Sequence, residues 1–229
     1  MASQTGITLG AVRLDSDDRR TRATFDAVAE DYADLLPDMS TEAPLDMAVL
    51  RVFVEMVQAS SHGPVVDVGC GSGRLTAHLS EAALPVVGFD LSAGMVAVAH
   101  AARRDLSFGV AHAGALPLRS GAAAGVVAWY SLINLRPDLI PAVLAEFARV
   151  TTPNATLLVA FQSGEGERVE RTTAYGHPLP ITYFRHRVRD VADAAVEVGF
   201  NIYATVERQP AMAHETTAQA FILAQRRDR

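Results

Sequence analysis

The sequence contains no lysine, one cysteine and one tryptophan, and it has no long uninterrupted apolar run. With Cys70 as its one cysteine, the chain cannot form an intramolecular disulfide or a zinc site built from several cysteines. No stretch approaches the roughly 18 consecutive apolar residues of a transmembrane helix, so we expect no membrane span. All 20 basic residues are arginine, which we interpret as a compositional bias of the source genome without functional meaning.

The composition is typical of a globular α/β domain. The chain has 229 residues, 49% of them hydrophobic, which is enough for one domain with a full core. The net charge of −6 argues against a protein that binds nucleic acid through its whole surface. The first residues, MASQTGITLG, do not have the charged start and apolar core of a secretory leader. We therefore expect a cytoplasmic protein.

The most informative motif is a glycine-rich loop between a strand and a helix. It is VVDVGCGSGRLTAHL at residues 65–79, and its glycines are Gly69, Gly71 and Gly73. Glycine lets the backbone turn sharply and approach a ligand, and a helix N-terminus directly follows. A second strand, in VVGFDLS at 86–92, ends in Asp90, whose carboxylate can bind both hydroxyls of a ribose. The pattern predicts a nucleotide-type cofactor site.

Two details distinguish between cofactors. The loop reads G-x-G-x-G, and Arg74 stands where a dinucleotide-binding loop has its third glycine. Asp67 lies just before the loop, where a carboxylate would disfavour a pyrophosphate but would suit a cationic amino group. The spacing therefore favours S-adenosylmethionine over NAD.

With these motifs the chain resembles the class I S-adenosylmethionine-dependent methyltransferases of the small-molecule type. The resemblance runs from about Thr24 onward, with its pieces in the family's order. Besides the glycine loop they are TFDAVAEDYA (24–33), GFDLSAGMVAVA (88–99), AHAGALPL (111–118), VVAWYSLINL (126–135) and AEFARVTTPNATLLVAF (145–161). It implies S-adenosylmethionine as cofactor, S-adenosylhomocysteine as product, and methyl transfer to a small molecule or short peptide. The resemblance leaves open whether O, N, C or S is methylated, and it leaves the oligomeric state open; it implies no nucleic-acid, membrane or metal partner.

The same resemblance implies a set of cofactor-binding residues. They are Tyr32, Asp67, Gly69, Cys70, Gly71, Gly73, Asp90, Leu91, Met95, His112, Ala113, Leu116, Trp129 and Tyr130. Tyr130, at a strand end beside the expected sulfonium, is also a candidate catalytic residue. Met95 and Trp129 are open to an alternative interpretation as core residues, Tyr32 as a packing residue, His112 as a solvent-facing loop histidine, and Cys70 as a small side chain in a tight turn. Asn134 stands where relatives frequently carry histidine, and its amide cannot act as a general base.

The acceptor pocket is expected from an insertion at residues 162–187. Its polar groups include Tyr175, His177, Tyr183, His186, Arg168, Arg171 and Arg185. His177, between Gly176 and Pro178, is the candidate general base. The alternative is a loop histidine that bonds to nearby backbone. The arginines either select an acidic acceptor or are solvated surface charges.

Alternating helical and β-rich segments predict a doubly wound, seven-stranded, mostly parallel sheet with an antiparallel last strand. Helices are expected at 18–36, 44–60, 73–83, 93–104, 138–150 and 186–198, and strands at 65–68, 85–89, 106–110, 124–130, 155–162, 200–208 and 217–226. Residues 1–17 are expected to be mobile and 18–229 to form a single domain. Residues 18–60 and 162–187 are its expected cap. Asn154 in Pro153-Asn154-Ala155 is expected to adopt positive φ in place of the family's glycine.

Three other functions remain open at this point. An NAD-dependent dehydrogenase is disfavoured by Asp67 and the loop spacing. A non-catalytic S-adenosylmethionine-binding module would keep the loop without an acceptor pocket. A relative that uses the fold for another reaction would bind the cofactor without consuming it.

Overall fold

The computed structural model describes residues 8–9, 12–60, 63–213 and 215–228. Strands β1 (Thr8–Leu9) and β2 (Val12–Arg13) form an antiparallel pair ahead of the first helix. Of the segment predicted to be mobile, residues 1–7, 10 and 11 lie outside the described residues. The mobility of residues 1–17 stays a prediction.

Helices and strands alternate through most of the described chain. The helices are α1 (Ser16–Leu35), α2 (Pro44–Ser60), α3 (Arg74–Glu81), α4 (Ala93–Ala102), α5 (Ile140–Val150) and α6 (Val188–Glu197). The further strands are β3 (Val65–Val68), β4 (Val86–Asp90), β5 (Ser107–Val110), β6 (Ala123–Trp129), β7 (Thr151–Gln162), β8 (Arg168–Arg171), β9 (Ile181–Phe184), β10 (Phe200–Arg208) and β11 (Gln219–Arg226). None of the described helices is both long and apolar enough to cross a membrane.

Seven strands form one sheet in the order β10-β11-β7-β6-β3-β4-β5. Strands β5, β4, β3, β6 and β7 are parallel, whereas β11 runs antiparallel to both β10 and β7. The link between β10 and β11 is too short for a parallel crossover, which requires a dozen or more residues. The predicted doubly wound α/β fold with an antiparallel last strand is confirmed.

The core lies on both faces of this sheet. Every residue of β3 and β6 is buried, as expected for central parallel strands covered by helices on both sides. One apolar cluster includes Phe147 and Phe200, and the cluster on the other face includes Phe53 and Phe221. The two faces are thus filled by packing, and the carboxyl ends of the parallel strands remain available for a ligand.

The turn before the fifth parallel strand differs in detail from the prediction. Asn154 has φ of 63°, so the expected positive φ is confirmed. However, β7 already begins at Thr151, and its pairing with β6 shifts register between Ala123 and Gly125. The segment is therefore a bulge within a strand, and asparagine tolerates the left-handed conformation there.

The insertion after β7 forms a β-hairpin. Strands β8 and β9 pair in an antiparallel register, which the sequence interpretation did not include. Helix α1 packs beside it, and the Thr24 hydroxyl donates to the Pro180 carbonyl at 3.1 Å. The hairpin and α1 together stand over the carboxyl ends of the sheet.

Candidate functional site

A cavity of about 610 Å³ opens at the carboxyl ends of the central strands. The last residues of β3, β4, β6 and β7 line it, and these are Val68, Asp90, Trp129 and Gln162. Its opposite wall comes from α1 and from the β8–β9 hairpin. This is the position at which doubly wound sheets bind their ligands, and the volume is typical of a small-molecule pocket.

The glycine loop forms the floor of the cavity on the β3 side. Gly69 and Gly71 have φ of 74° and 54°, in the left-handed region that favours glycine. A Cβ atom on Gly69 would collide with the side chain of Ser131, which follows β6. The Gly69 amide donates to the Phe89 carbonyl at 2.7 Å, which holds the loop against β4. The loop backbone is therefore fixed close to the ligand space.

Asp90 stands at the wall beside this loop. Its Oδ2 accepts a hydrogen bond from the Gly71 amide at 2.8 Å, and its Oδ1 accepts one from the Ser92 amide at 2.8 Å. Burial raises the pKa of Asp90 above its usual range. A carboxylate has about four lone-pair sites, so each oxygen keeps one for a further donor. Two adjacent hydroxyls of a ribose match these remaining sites.

An apolar surface adjoins Asp90 along α4. Leu91, Met95 and Ala113 line the cavity there, and Met95 is 1% exposed. The Ser92 hydroxyl accepts a hydrogen bond from the Met95 amide at 3.0 Å and caps α4. This surface can hold the flat face of a base.

His112 lines the cavity together with Asp18 of α1. Its Nδ1 accepts a hydrogen bond from the Gly114 amide at 3.0 Å, so neutral His112 carries its proton on Nε2. That nitrogen lies 3.4 Å from Asp18 Oδ1. Burial raises the pKa of Asp18, but the contacts with His112 and the Asp15 amide outweigh it and lower the pKa. Among the described residues, Nε2 of His112 is buried beside Asp18 but makes no hydrogen bond.

Aromatic side chains surround the rest of the cavity. Tyr130, directly after β6, lines it with φ of 56°, and its ring meets that of Trp129 edge-on. Tyr32 of α1 meets Tyr175 edge-on at 4.9 Å between ring centres. Burial raises the pKa of Tyr32, Tyr130 and Tyr175 above the usual tyrosine range. All three phenols therefore stay protonated at neutral pH.

Four of the predicted cofactor residues do not line the cavity. Asp67 is buried beneath the loop, where its Oδ2 accepts a hydrogen bond from the Thr76 hydroxyl at 2.6 Å, and burial raises its pKa to about 7. Gly73 is the N-cap residue of α3, and Cys70 is buried with its pKa raised by burial. Leu116 packs in the core and its amide donates to Glu146. These residues support the loop and sheet from behind.

His177 also lies away from the cavity lining. Its Nε2 contacts Asp31 Oδ2 at 2.7 Å on the outer side of α1, with both side chains partly exposed. The prediction of a general base at this position is not supported by the geometry. Because the turn at Tyr175 and Gly176 has positive φ at both residues, the backbone directs His177 away from the cavity.

The sequence interpretation missed some cavity residues. Arg74, considered there for loop spacing alone, lines the cavity, and it pairs with Glu42 at 2.6 Å. Phe25 lines the cavity two turns of α1 before Tyr32 and packs against it, so helical spacing from Tyr32 could have indicated it. Among the described residues, no group of three or more His, Cys, Asp or Glu side chains is placed to hold a metal ion.

The loop, strand and helix that form the cavity floor lie in a recognised domain. Residues 65–154 match the family model described as "Methyltransferase domain". A demethylmenaquinone methyltransferase from Beutenbergia cavernae is 34% identical over 148 residues, which span 65% of this chain and 60% of that relative. The chain is similar to class I S-adenosylmethionine-dependent methyltransferases, and residues 65–154 carry the similarity to the domain model. The match to this relative covers less than two thirds of the relative's own length.

Solved structures of a methyltransferase and of a cyclase share the fold. The magnesium protoporphyrin IX methyltransferase from Synechocystis PCC 6803 with bound SAM has a TM-score of 0.68 at 18% identity, over 95% of this chain and 99% of that one. The cyclase SpnF has a TM-score of 0.69 at 16% identity, over 96% and 99% of the two chains. At these identities the likeness concerns the fold alone.

The cavity fits S-adenosylmethionine, the cofactor that the sequence predicts. Asp90 keeps lone pairs for a ribose, the loop glycines leave the backbone uncovered, and an apolar wall follows at Met95. The match of residues 65–154 to a methyltransferase domain argues against the NAD-dependent dehydrogenase considered above. Asp67, however, does not lie where it could meet the cofactor's amino group directly, because its side chain turns under the loop.

Proposed function

We propose that the protein transfers a methyl group from S-adenosylmethionine to a small molecule bound on the α1 and hairpin side of the cavity. One observation carries this proposal. The Asp90 wall and the acceptor-side residues Tyr175, Ile181 and Tyr183 line a single continuous cavity. A cofactor held at Asp90 and a second molecule beneath the hairpin would share one space.

The cofactor-side residues have distinct parts in this proposal. Asp90 would accept the ribose hydroxyls, the Gly69–Gly71 backbone would follow the methionine end, and Met95 would pack on adenine. The bound cofactor supplies an electrophilic methyl on a sulfonium. Tyr130 and Trp129 present aromatic rings that favour a nearby positive charge. Tyr130 acts here as an aromatic and hydrogen-bonding residue, because its raised pKa keeps the phenol protonated at neutral pH.

The acceptor-side residues orient the second substrate and exclude water. Phe25, Leu35, Ile133 and Ile181 give this half of the cavity apolar walls. We propose that α1 and the hairpin cap a single domain. Alignment of two reactants alone contributes about 7 to 11 kcal/mol to lowering a barrier. A small, largely apolar acceptor suits these walls, and the relatives named demethylmenaquinone methyltransferases make a quinone ring the first acceptor to test.

The test has two stages. Calorimetric titration with S-adenosylmethionine, S-adenosylhomocysteine and NADH should give binding of the first two and none of the third. Transfer of labelled methyl is then assayed with a panel that includes demethylmenaquinone and its reduced form. Absence of cofactor binding contradicts the proposal, and binding without transfer to any panel member favours the non-catalytic module or another reaction.

A further inference from the structure

The β8–β9 hairpin separates its arginines between two faces. Arg171 pairs with Ile181 and Val169 pairs with Tyr183, so these four side chains share one face of the hairpin. Arg171, Ile181 and Tyr183 line the cavity. Arg168 is three residues from Arg171 and therefore points to the opposite face, where it pairs with Glu170 at 2.8 Å.

Arg171 is oriented by Tyr183. Its Nε donates to the Tyr183 hydroxyl at 3.0 Å, and its guanidinium carbon lies 5.7 Å from the centre of the Tyr183 ring. Tyr183 itself is 8% exposed and so gives a fixed support. Within the described part of the chain, Arg171 makes no ion pair, and Tyr183 is its one hydrogen-bond partner. Both terminal nitrogens of the guanidinium thus remain available as donors.

The other arginines at the cavity are compensated by carboxylates. Arg22 lies 3.6 Å from Asp26, and Arg74 lies 2.6 Å from Glu42. Arg185 of the same insertion lies 4.0 Å from Glu167 and does not line the cavity. Among the described cavity-lining residues, Arg171 is therefore the cation without a carboxylate partner, and it lies on the acceptor side.

The carboxylates and the imidazole of the described cavity lining accept hydrogen bonds from backbone amides. Asp18 accepts from the Asp15 amide, His112 accepts through Nδ1 from the Gly114 amide, and Asp90 accepts from the Gly71 amide at the cofactor wall. The tyrosines Tyr32, Tyr130 and Tyr175 keep their protons. An acceptor that arrives already ionised needs no base, and it does need a counter-ion.

We propose that Arg171, held by Tyr183, binds an anionic oxygen of an aromatic acceptor, either a carboxylate or a phenolate. This rests on the proposed function, because it concerns the acceptor half of the same cavity. The planar guanidinium can donate two parallel hydrogen bonds to a carboxylate, and Ile181 and Tyr175 give the ring apolar and aromatic contacts.

The test measures binding and does not require the natural acceptor. The probes are 2-naphthoate and its uncharged analogue 2-naphthamide, titrated into protein saturated with S-adenosylhomocysteine. The native protein should bind the acid at least about tenfold more tightly than the amide, as a charge-assisted pair predicts. In Arg171→Gln this preference should disappear, and in Tyr183→Phe it should fall several-fold because the guanidinium loses its support.

Arg168→Gln is the matched control, since this arginine lies on the opposite face, and it should keep the full preference. S-adenosylhomocysteine affinity is measured for every variant and verifies folding. Equal binding of acid and amide, no binding of the acid, or a preference that survives in Arg171→Gln would overturn the inference. If the native protein does not bind S-adenosylhomocysteine, the proposed function fails, and the same probes titrated into the protein alone still test Arg171.

Discussion

The carboxylate of Asp26 in α1 accepts a hydrogen bond at 2.6 Å from the hydroxyl of Ser92, which directly follows the Asp90–Leu91 pair at the cofactor wall. The same Asp26 oxygen accepts a hydrogen bond from the Gly94 amide at 2.9 Å. Ser92 also caps α4, so a single contact joins the cap helix, the α4 N-terminus and the strand end that carries Asp90. The position of α1 is thereby linked to the strand end that carries Asp90.

Removal of this contact should loosen α1 over the cavity. Asp26→Ala takes away the acceptor for two donors, and we expect cofactor affinity to fall several-fold with faster amide hydrogen exchange in α1. The expected loss of stability is about 1 to 2 kcal/mol. Asp193→Ala, in an exposed pair with Arg189, is the control and should change neither quantity. Unchanged exchange in α1 would show that Asp26 does not hold the helix.

Asp90 should be required for cofactor affinity. Asp90→Asn keeps the shape of the side chain but replaces one acceptor oxygen with a donor, which faces either the Gly71 or the Ser92 amide. We expect S-adenosylmethionine to bind about 10- to 100-fold more weakly by calorimetry. Asp105→Asn removes a carboxylate from an exposed pair with Arg103 and should leave affinity unchanged. Native affinity in a folded Asp90→Asn protein would refute the ribose assignment.

The contribution of Asp67 to the free energy of unfolding should fall as the pH rises. Burial raises its pKa to about 7 in the folded protein, whereas an unfolded aspartate titrates near 3.9. Between about pH 4 and 7 the folded state therefore binds more protons than the unfolded state, so this group's contribution to stability falls as pH increases.

Asp67→Asn removes that titration. As the pH rises from about 4 to 7, the native protein should lose unfolding free energy relative to Asp67→Asn. The difference should change by up to about 1.4 kcal/mol per pH unit and should level off above this window. Urea denaturation at a series of pH values measures it. The asparagine amide meets no partner at the position of Oδ1, which adds a constant offset, so the slope is the test. Parallel stability curves would contradict the raised pKa.

His177 should be dispensable for the chemistry. Its ring contacts Asp31 on the outside of α1, and such a partly exposed pair contributes below about 1 kcal/mol to stability. With the acceptor found by the panel, His177→Gln should keep turnover at saturation within about twofold of native. A loss of more than about 100-fold with unchanged cofactor affinity would restore His177 as general base.

Much of the fold followed from local sequence patterns. The alternation of strands and helices, the antiparallel last strand and the positive φ of Asn154 all depend on residues close together in the chain. The same is true of the glycine loop, because its positive φ values require glycine in the sequence. The insertion was the exception. Its ITYF segment is rich in β-branched and aromatic residues, and this could have indicated strand β9.

The direction of individual side chains at the site did not follow from the sequence. Spacing placed Asp67 next to the loop, yet its carboxylate turns to Thr76 in the following helix. Residue type made His177 a candidate base, yet the left-handed turn before it points the ring to Asp31. In both cases the partner belongs to a different element, and the orientation depends on how the elements pack.

The sequence by itself determined the fold class and the cofactor side of the cavity, because tight turns, strand ends and helix starts are set by neighbouring residues. Only the tertiary structure decided the acceptor side. Arg168 and Arg171 are the same residue type in the same short strand. They lie on opposite faces of the hairpin because of the pairing of β8 with β9, and the packing of that hairpin against α1 decides which face lines the cavity. Such contacts join residues far apart in the chain, so they depend on packing across the whole domain.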